Sequence, residues 1–264
     1  MNFEQKTVWI TGASSGIGEA LAYAFSAKGA TILLSARNET ELNRVKQHCV
    51  FPERVHVFPL DIANYNQAFE TGANILKQFG QVDILVNNAG ISQRSQAVGT
   101  IFEVDEKLIN TNFLGTVAVT KSVLNKMVAS RSGIIVVVTS VVGKIGTPFR
   151  SSYAASKHAL HGFFDSLRAE ISDSGVRVLL VCPGFVRTSV SINALTAAGT
   201  RQGTMDEATD KGLSPDYVAE KIIQGICNNK EEIWVTGFKE RFAINLKRFF
   251  PIIFSKLIKR SKVT

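Results

Sequence analysis

Several common features are scarce or missing in this chain. Its 264 residues include only three cysteines, Cys49, Cys182 and Cys227. They are odd in number and far apart, so they suit neither a disulfide framework nor a zinc site, and a reducing cytoplasm is the simplest setting. No metal site is expected from the sequence. No uncharged apolar run of about 18 residues occurs, which predicts no membrane-spanning helix. The polar stretch Met1 to Lys6 precedes the first apolar run, which predicts no signal peptide. Proline is limited to six residues and no stretch is of low complexity, which excludes a disordered or fibrous chain.

Acidic residues are scarce in one place only. The net charge is +8, from 30 Lys/Arg against 22 Asp/Glu. From Lys239 onward there are eight basic residues and one acid, Glu240. The rest of the chain is close to neutral, which argues against a nucleic-acid partner for the body.

What is present is alternation. Strand-like apolar runs lie at 6–10, 31–36, 55–58, 82–86, 134–138, 176–181 and 232–236. Helical patterns lie between them, at 39–49, 67–79, 104–130, 153 to about 172, and 215–229, with a first helix whose apolar face carries Leu21, Ala24 and Phe25. This order predicts an α/β fold: a single-domain, Rossmann-like doubly wound parallel sheet of about seven strands, with helices on both faces. The domain is expected over 1–237. Residues 189–213 form an irregular loop on the substrate side, and 238–264 form a basic amphipathic extension.

The first strand runs into Thr11-Gly12-Ala13-Ser14-Ser15-Gly16-Ile17-Gly18. A strand, a glycine turn and a helix are what a dinucleotide phosphate site needs. Gly12 allows the tight turn, Gly16 lets backbone approach a pyrophosphate, and Gly18 permits close helix packing. The helix N-terminus then offers free N–H groups to phosphate. At the end of the second strand Ala36 stands where an acid would bind the ribose diol, and Arg37 follows. An arginine there suits a 2′-phosphate and so favours NADP(H) over NAD(H); the alternative is a solvated loop arginine. Asp61 can accept from an adenine amino group or cap the next helix. Asn87-Asn88-Ala89-Gly90 sits at the ligand-binding edge of the sheet and fixes turns there. Asn112, with Gly115 three residues on, marks a bend in a long helix. Thr139 and Ser140 end a central strand. Tyr153 and Lys157 are spaced i,i+4, so phenol and ammonium share a helix face, and a neighbouring cation lowers a phenol's pKa.

These motifs together resemble the short-chain dehydrogenase/reductase family. The matching stretches are TGASSGIG at 11–18, Asp61, NNAG at 87–90, Asn112, Ser140, YAASK at 153–157 and PGFVRT at 183–188, in family order over nearly the whole chain to about residue 237. NNAGISQRS at 87–95, IGTPFRSSYAASKHAL at 145–160 and SINALTAAGTRQGTMDEAT at 191–209 are most similar to the branch called dehydrogenase/reductase member 7B and its bacterial relatives.

The resemblance implies an NADP(H)-dependent oxidoreductase acting between carbonyl and alcohol. Tyr153 is expected to be the general acid and base. Lys157 is expected to lower its pKa and bind the nicotinamide ribose, Ser140 to hold the carbonyl oxygen, and Asn112 to bind a water leading to Lys157. Gly12, Ser14, Ser15, Gly16, Ile17 and Gly18 would hold the pyrophosphate. Arg37 would meet the 2′-phosphate, with Asp61 and Ile62 at adenine. Asn87, Ala89 and Gly90 would line the ribose side, with Pro183, Gly184, Val186 and Thr188 at the carboxamide. Homodimers or homotetramers through the helices near 104–130 and 151–172 are also implied.

For the substrate, Val141, Ile145, Phe149, Phe185, Val190, Ile192 and Leu195 flank the catalytic edge. Either they belong to the core or they line a pocket for a hydrophobic, lipid-like ketone, aldehyde or alcohol. Arg94, Lys144, Arg150 and Arg201 can meet an anionic head group or solvent. The tail alternates apolar and basic residues, and Pro251 splits it into two short helices. It suits either an anionic lipid surface at the inner membrane face or packing against protein. Rival functions are a 3-oxoacyl-thioester reductase of fatty-acid synthesis and a nucleotide-sensing binding protein without turnover.

Overall fold

The computed structural model describes residues 1–259; residues 260–264 of the basic extension lie outside the described residues. Seven strands, β1 (Thr7–Thr11), β2 (Thr31–Ser35), β3 (Val55–Val57), β4 (Ile84–Asn87), β5 (Gly133–Val138), β6 (Val176–Pro183) and β7 (Glu232–Val235), form one parallel sheet in the order β3-β2-β1-β4-β5-β6-β7. The apolar runs explain this arrangement. Strands such as β5, with every residue buried, need cover on both faces, and parallel crossovers supply it.

Alternate side chains feed opposite layers. Val8 and Ile10 of β1 join one core with α1 (Gly16–Ser26), α2 (Glu39–His48) and α8 (Pro215–Cys227). Trp9 joins the other, with α3 (Tyr65–Phe79), α5 (Thr116–Ala129) and α6 (Ser151–Glu170). Phe25 and Phe164 are fully buried, one in each layer; burial of a side chain this large contributes about 2–3 kcal/mol. Strand order reverses between β1 and β4, and a ligand crevice opens at such a switch point. Thr11 ties the two strands there. Its Oγ1 donates to Val86 O (3.3 Å) and accepts from the N–H groups of Asn88 (3.1 Å) and Ala89 (3.2 Å).

Three expectations change. The long helix over 104–130 is two helices, α4 (Phe102–Ile109) and α5, joined by a π turn at Asn110–Gly115. The bend foreseen at Asn112 and Gly115 is this turn, which is the form that helix insertions often take at functional sites. Asp61 does not cap α3. Asn64 does, accepting from Gln67 N at 3.1 Å, while Asp61 Oδ1 accepts from Ala63 N at 3.0 Å. The 189–213 segment is not wholly irregular. It contains α7 (Glu207–Asp210) and pairs along 92–94, with Leu195 N donating to Ser92 O and Arg94 N to Leu195 O, both 2.8 Å. The tail forms α9 (Phe238–Phe249) and α10 (Pro251–Ile258), broken at Pro251 as its missing N–H and ring predict.

Candidate active site

The crevice at the switch point is a cleft of about 550 Å³. One end is lined by Gly12, Ser14, Ser15, Gly16 and Ile17, with Arg37, Asp61 and Ile62 beyond. The local chemistry fits a dinucleotide. Gly16 has φ +59°, and a Cβ there would lie 2.9 Å from Thr188 Cγ2, so a side chain would fill the cradle. Ser15 stands at the N-cap of α1 but makes no side-chain capping bond. The caps of α2, α3 and α8 do make one. The first N–H groups of α1 are therefore open to an anion. Arg37 is exposed on the cleft wall and, among the described residues, has no hydrogen bond or ion pair.

The other end is lined by Ser140, Tyr153 and Lys157. β5 delivers Ser140, whose hydroxyl accepts from Val142 N at 3.3 Å and opposes the rise in the Tyr153 pKa. α6 carries Tyr153 and Lys157 one turn apart, with Lys157 Nζ 5.9 Å from the phenol ring centre. Lys157 is buried and donates to Val138 O at 2.9 Å. Burial lowers its pKa from 10.5 to about 8. Asn112 is also fully buried, although an asparagine inside a helix usually faces solvent. It does not line the cleft; the π turn directs its side chain to the Ile91 loop and α6. Its Oδ1 accepts from Ile91 N (2.8 Å), and its Nδ2 donates to Ile91 O (2.9 Å) and Ser156 Oγ (3.0 Å).

The expectation that Lys157 lowers the pKa of Tyr153 needs correction. Burial pushes the phenol up, and the groups opposing that rise are Arg150, the Ser140 hydrogen bond and Arg94. Lys157 spends its proton on a backbone carbonyl instead. Arg150 and Arg94 are buried on either side of one carboxylate, Asp206. Arg94 reaches it at 2.5 Å and Arg150 at 3.7 Å, and Gln202 Nε2 donates to it at 2.8 Å. The Arg150 guanidinium also lies over the Phe185 ring, 5.4 Å from its centre. The cluster carries two cations and one anion, so a net positive charge sits behind Tyr153.

Comparisons with known proteins give the family. The family described as short chain dehydrogenase matches residues 6–198. The chain belongs to the short-chain dehydrogenase family. It is 43% identical over 256 residues to "Dehydrogenase/reductase SDR family protein 7-like" of Drosophila melanogaster, covering 94% of this chain and 78% of that one. It is 38% identical to "Dehydrogenase/reductase SDR family member 7B" of Danio rerio, covering 97% and 85%. A solved short chain dehydrogenase/reductase from Burkholderia phymatum, in complex with NAD, superposes with TM-score 0.85 at 22% identity over 96% of each chain; at that identity the likeness is one of fold. This short-chain dehydrogenase is accordingly an oxidoreductase with a Rossmann-like nucleotide fold and a small-molecule substrate.

Of the residues expected at the family's cofactor site, Gly12, Ser14, Ser15, Gly16, Ile17, Arg37, Asp61, Ile62, Ala89, Gly90, Pro183, Gly184, Val186 and Thr188 all line the cleft. Two do not. Asn87 points into the core, donating to Thr120 Oγ1 at 2.9 Å, and its Oδ1 has no partner among the described residues. Asn88 lines the cleft in its place, and its Nδ2 clamps the glycine turn through Thr11 O and Gly12 O, both at 3.1 Å. Gly18 serves packing, since a Cβ there would overlap Gly12 O.

The substrate side changes more. Val141 and Ile145 are buried under the tail, not in the cleft. Val190 and Leu195 do line it, and Leu195 packs beside Tyr153. Lys144 pairs with Glu232 at 2.7 Å, and only Arg201 of the four candidate cations faces the cleft. Sequence reasoning missed Gln93. Its buried Oε1 accepts from the N–H groups of Ser152 (3.0 Å) and Tyr153 (3.4 Å), capping α6 from a distant loop. No local pattern announces such a cap. His161, Cys182 and Glu232 gather with potential metal-ligating atoms within 4.8 Å of one another. The Lys144 ammonium already sits on that carboxylate.

Proposed function

We propose that this chain is an NADP(H)-dependent oxidoreductase that reduces a carbonyl on a hydrophobic, lipid-like substrate and, in reverse, oxidises the alcohol. The observation that carries this reading is the convergence of Ser140, Tyr153 and Lys157 on the floor of the cleft whose far end is the open N-terminus of α1. Gly12 through Ile17 would hold the pyrophosphate, Arg37 the 2′-phosphate, and Lys157 and Thr188 the nicotinamide side. When bound, the cofactor supplies the hydride.

The chain's own residues handle the proton and the orientation. The Tyr153 and Ser140 side chains line the same end of the cleft and so can flank one carbonyl oxygen. Ser140 would orient and polarise it, and Tyr153 would donate a proton to that oxygen. The net positive charge of Arg94, Arg150 and Asp206 steadies the phenolate left behind. Lys157, with its pKa near 8, reprotonates Tyr153 at neutral pH. Gly90 separates Lys157 Nζ from Asn112 Oδ1, at 3.5 and 3.1 Å from where a Cβ would stand, so a water there would link the two. Val190 and Leu195 favour an apolar substrate.

A 3-oxoacyl thioester on an acidic carrier is the second reading, favoured by the uncompensated basic charge of the tail. An NADPH-oxidation panel of ketones, aldehydes and 3-oxoacyl thioesters separates the two. Turnover is expected with apolar ketones or aldehydes. Tyr153→Phe should keep NADPH binding and lose roughly 10³-fold in rate, within the range of general acid catalysis. Undiminished turnover in Tyr153→Phe would remove the assigned role. A flat panel with NADPH bound would turn the reading to a nucleotide sensor.

A further inference from the structure

The last two helices carry two opposite faces. Inward, Ile244 of α9 and Phe254 of α10 are buried against Val141 and Ile145, directly after Ser140. Lys247 Nζ donates to Lys144 O at 3.1 Å, and Glu240 lies beside Gly184. The helices are therefore fastened to the two loops that frame the catalytic edge.

Outward, large apolar side chains stand in solvent. Phe238 is 83% and Ile252 73% exposed, and Phe242, Phe249, Phe250 and Ile253 are each at least half exposed. Residues 238, 242 and 249 recur at helical spacing, so they form one stripe of α9, and the rings of Phe238 and Phe242 stack at 6.5 Å. Singly exposed apolar residues are ordinary, but a contiguous set on two adjoining helices marks an interaction surface.

Charge decides the partner. Lys239, Arg241, Arg248, Lys256 and Lys259 are exposed around this stripe. None of them is in an ion pair among the described residues. The single acid, Glu240, is turned toward the body. A two-fold contact with a second copy would set this cationic face against itself. An anionic bilayer answers both features, taking aromatic and aliphatic side chains at the headgroup boundary and neutralising the ring of cations.

We propose that α9 and α10 form a docking face for an anionic lipid bilayer, which seats the chain with the loops of its catalytic edge next to the membrane surface. The inference deepens the lipid-substrate reading, since a carbonyl carried in a bilayer would reach the cleft without crossing water.

The test is co-sedimentation of the full chain with vesicles of phosphatidylcholine alone and of phosphatidylcholine with phosphatidylglycerol. Binding is expected to the mixed vesicles, at least tenfold weaker to the neutral ones, and falling as salt rises. The double substitution Phe249→Glu with Ile252→Glu should abolish it. Arg248→Gln and Lys256→Gln should each weaken it by about fivefold, at roughly 1 kcal/mol per cation, without lowering the unfolding temperature. Absence of pelleting, or equal binding to both kinds of vesicle, overturns the proposal. So does a dimer that dissociates in the Phe249→Glu, Ile252→Glu chain, which would give the face to a second copy. The experiment reads binding and not turnover, so its failure leaves the oxidoreductase reading standing.

Discussion

Arg37 and Arg150 are both tied to the cleft, and they live in opposite surroundings. Arg37 is exposed on the cleft wall at the glycine-turn end and, among the described residues, bonds to nothing. Arg150 is buried behind Tyr153 and shares Asp206 with Arg94. Burial and mutual repulsion with Arg94 lower its pKa to about 10. An exposed, unpaired cation costs the fold little and is available to a ligand. A buried cation must be compensated by the protein itself, so it is committed to structure before any ligand arrives. The Arg37 end of the cleft is therefore open to a ligand at little cost to the fold, and at the Tyr153 end charge and stability are joined.

The largest expected effect tests the buried half of that contrast. Asp206→Ala leaves two buried guanidinium groups facing each other without their carboxylate. Removing one partner of such a cluster costs about 3–5 kcal/mol, which for a chain of this size lowers the unfolding temperature by roughly 10 °C. Scanning calorimetry checks it, and an unchanged transition would mean that the cluster is not integral to the fold. A smaller effect tests the exposed half. Arg37→Ser should leave stability within about 0.5 kcal/mol and weaken NADPH binding by roughly 10- to 100-fold, with little change for NADH, as loss of a charge-assisted bond requires. If NADH binds wild type as tightly as NADPH does, Arg37 is a solvated loop residue and the contrast loses its functional side.

The same division explains what was legible in the sequence. Strand and helix periods report burial directly, so all seven strands and the break at Pro251 could be read. Backbone-based features could be read as well. The glycine turn, Ser140 and the Tyr153–Lys157 spacing are local patterns whose context is a few residues wide. What could not be read depends on partners far apart in the chain. Asp206 lies in a segment without periodicity and meets Arg94 across 112 positions. Gln93 caps a helix that begins 58 residues later. The direction of the Tyr153 shift was misjudged for the same reason: the i,i+4 rule places Lys157 nearby but does not say that its ammonium turns to Val138 O. The fate of Val141 and Ile145 was hidden because their cover comes from the tail.

Burial of Lys157 has a thermodynamic consequence for the whole chain. In the unfolded state its ammonium titrates near 10.5, in the folded state near 8, so the folded chain is the poorer proton acceptor. Below pH 8 both states are protonated and the penalty is complete, about 3 kcal/mol from a shift of this size. Between pH 8 and 10.5 only the unfolded chain holds the proton, and stability climbs with pH. Lys157→Met should therefore unfold at a higher temperature than wild type near neutral pH, with the gap closing toward pH 10.5; a gap independent of pH would show that the penalty is not protonic. The buried ammonium is a standing strain on the fold, relieved only in alkali.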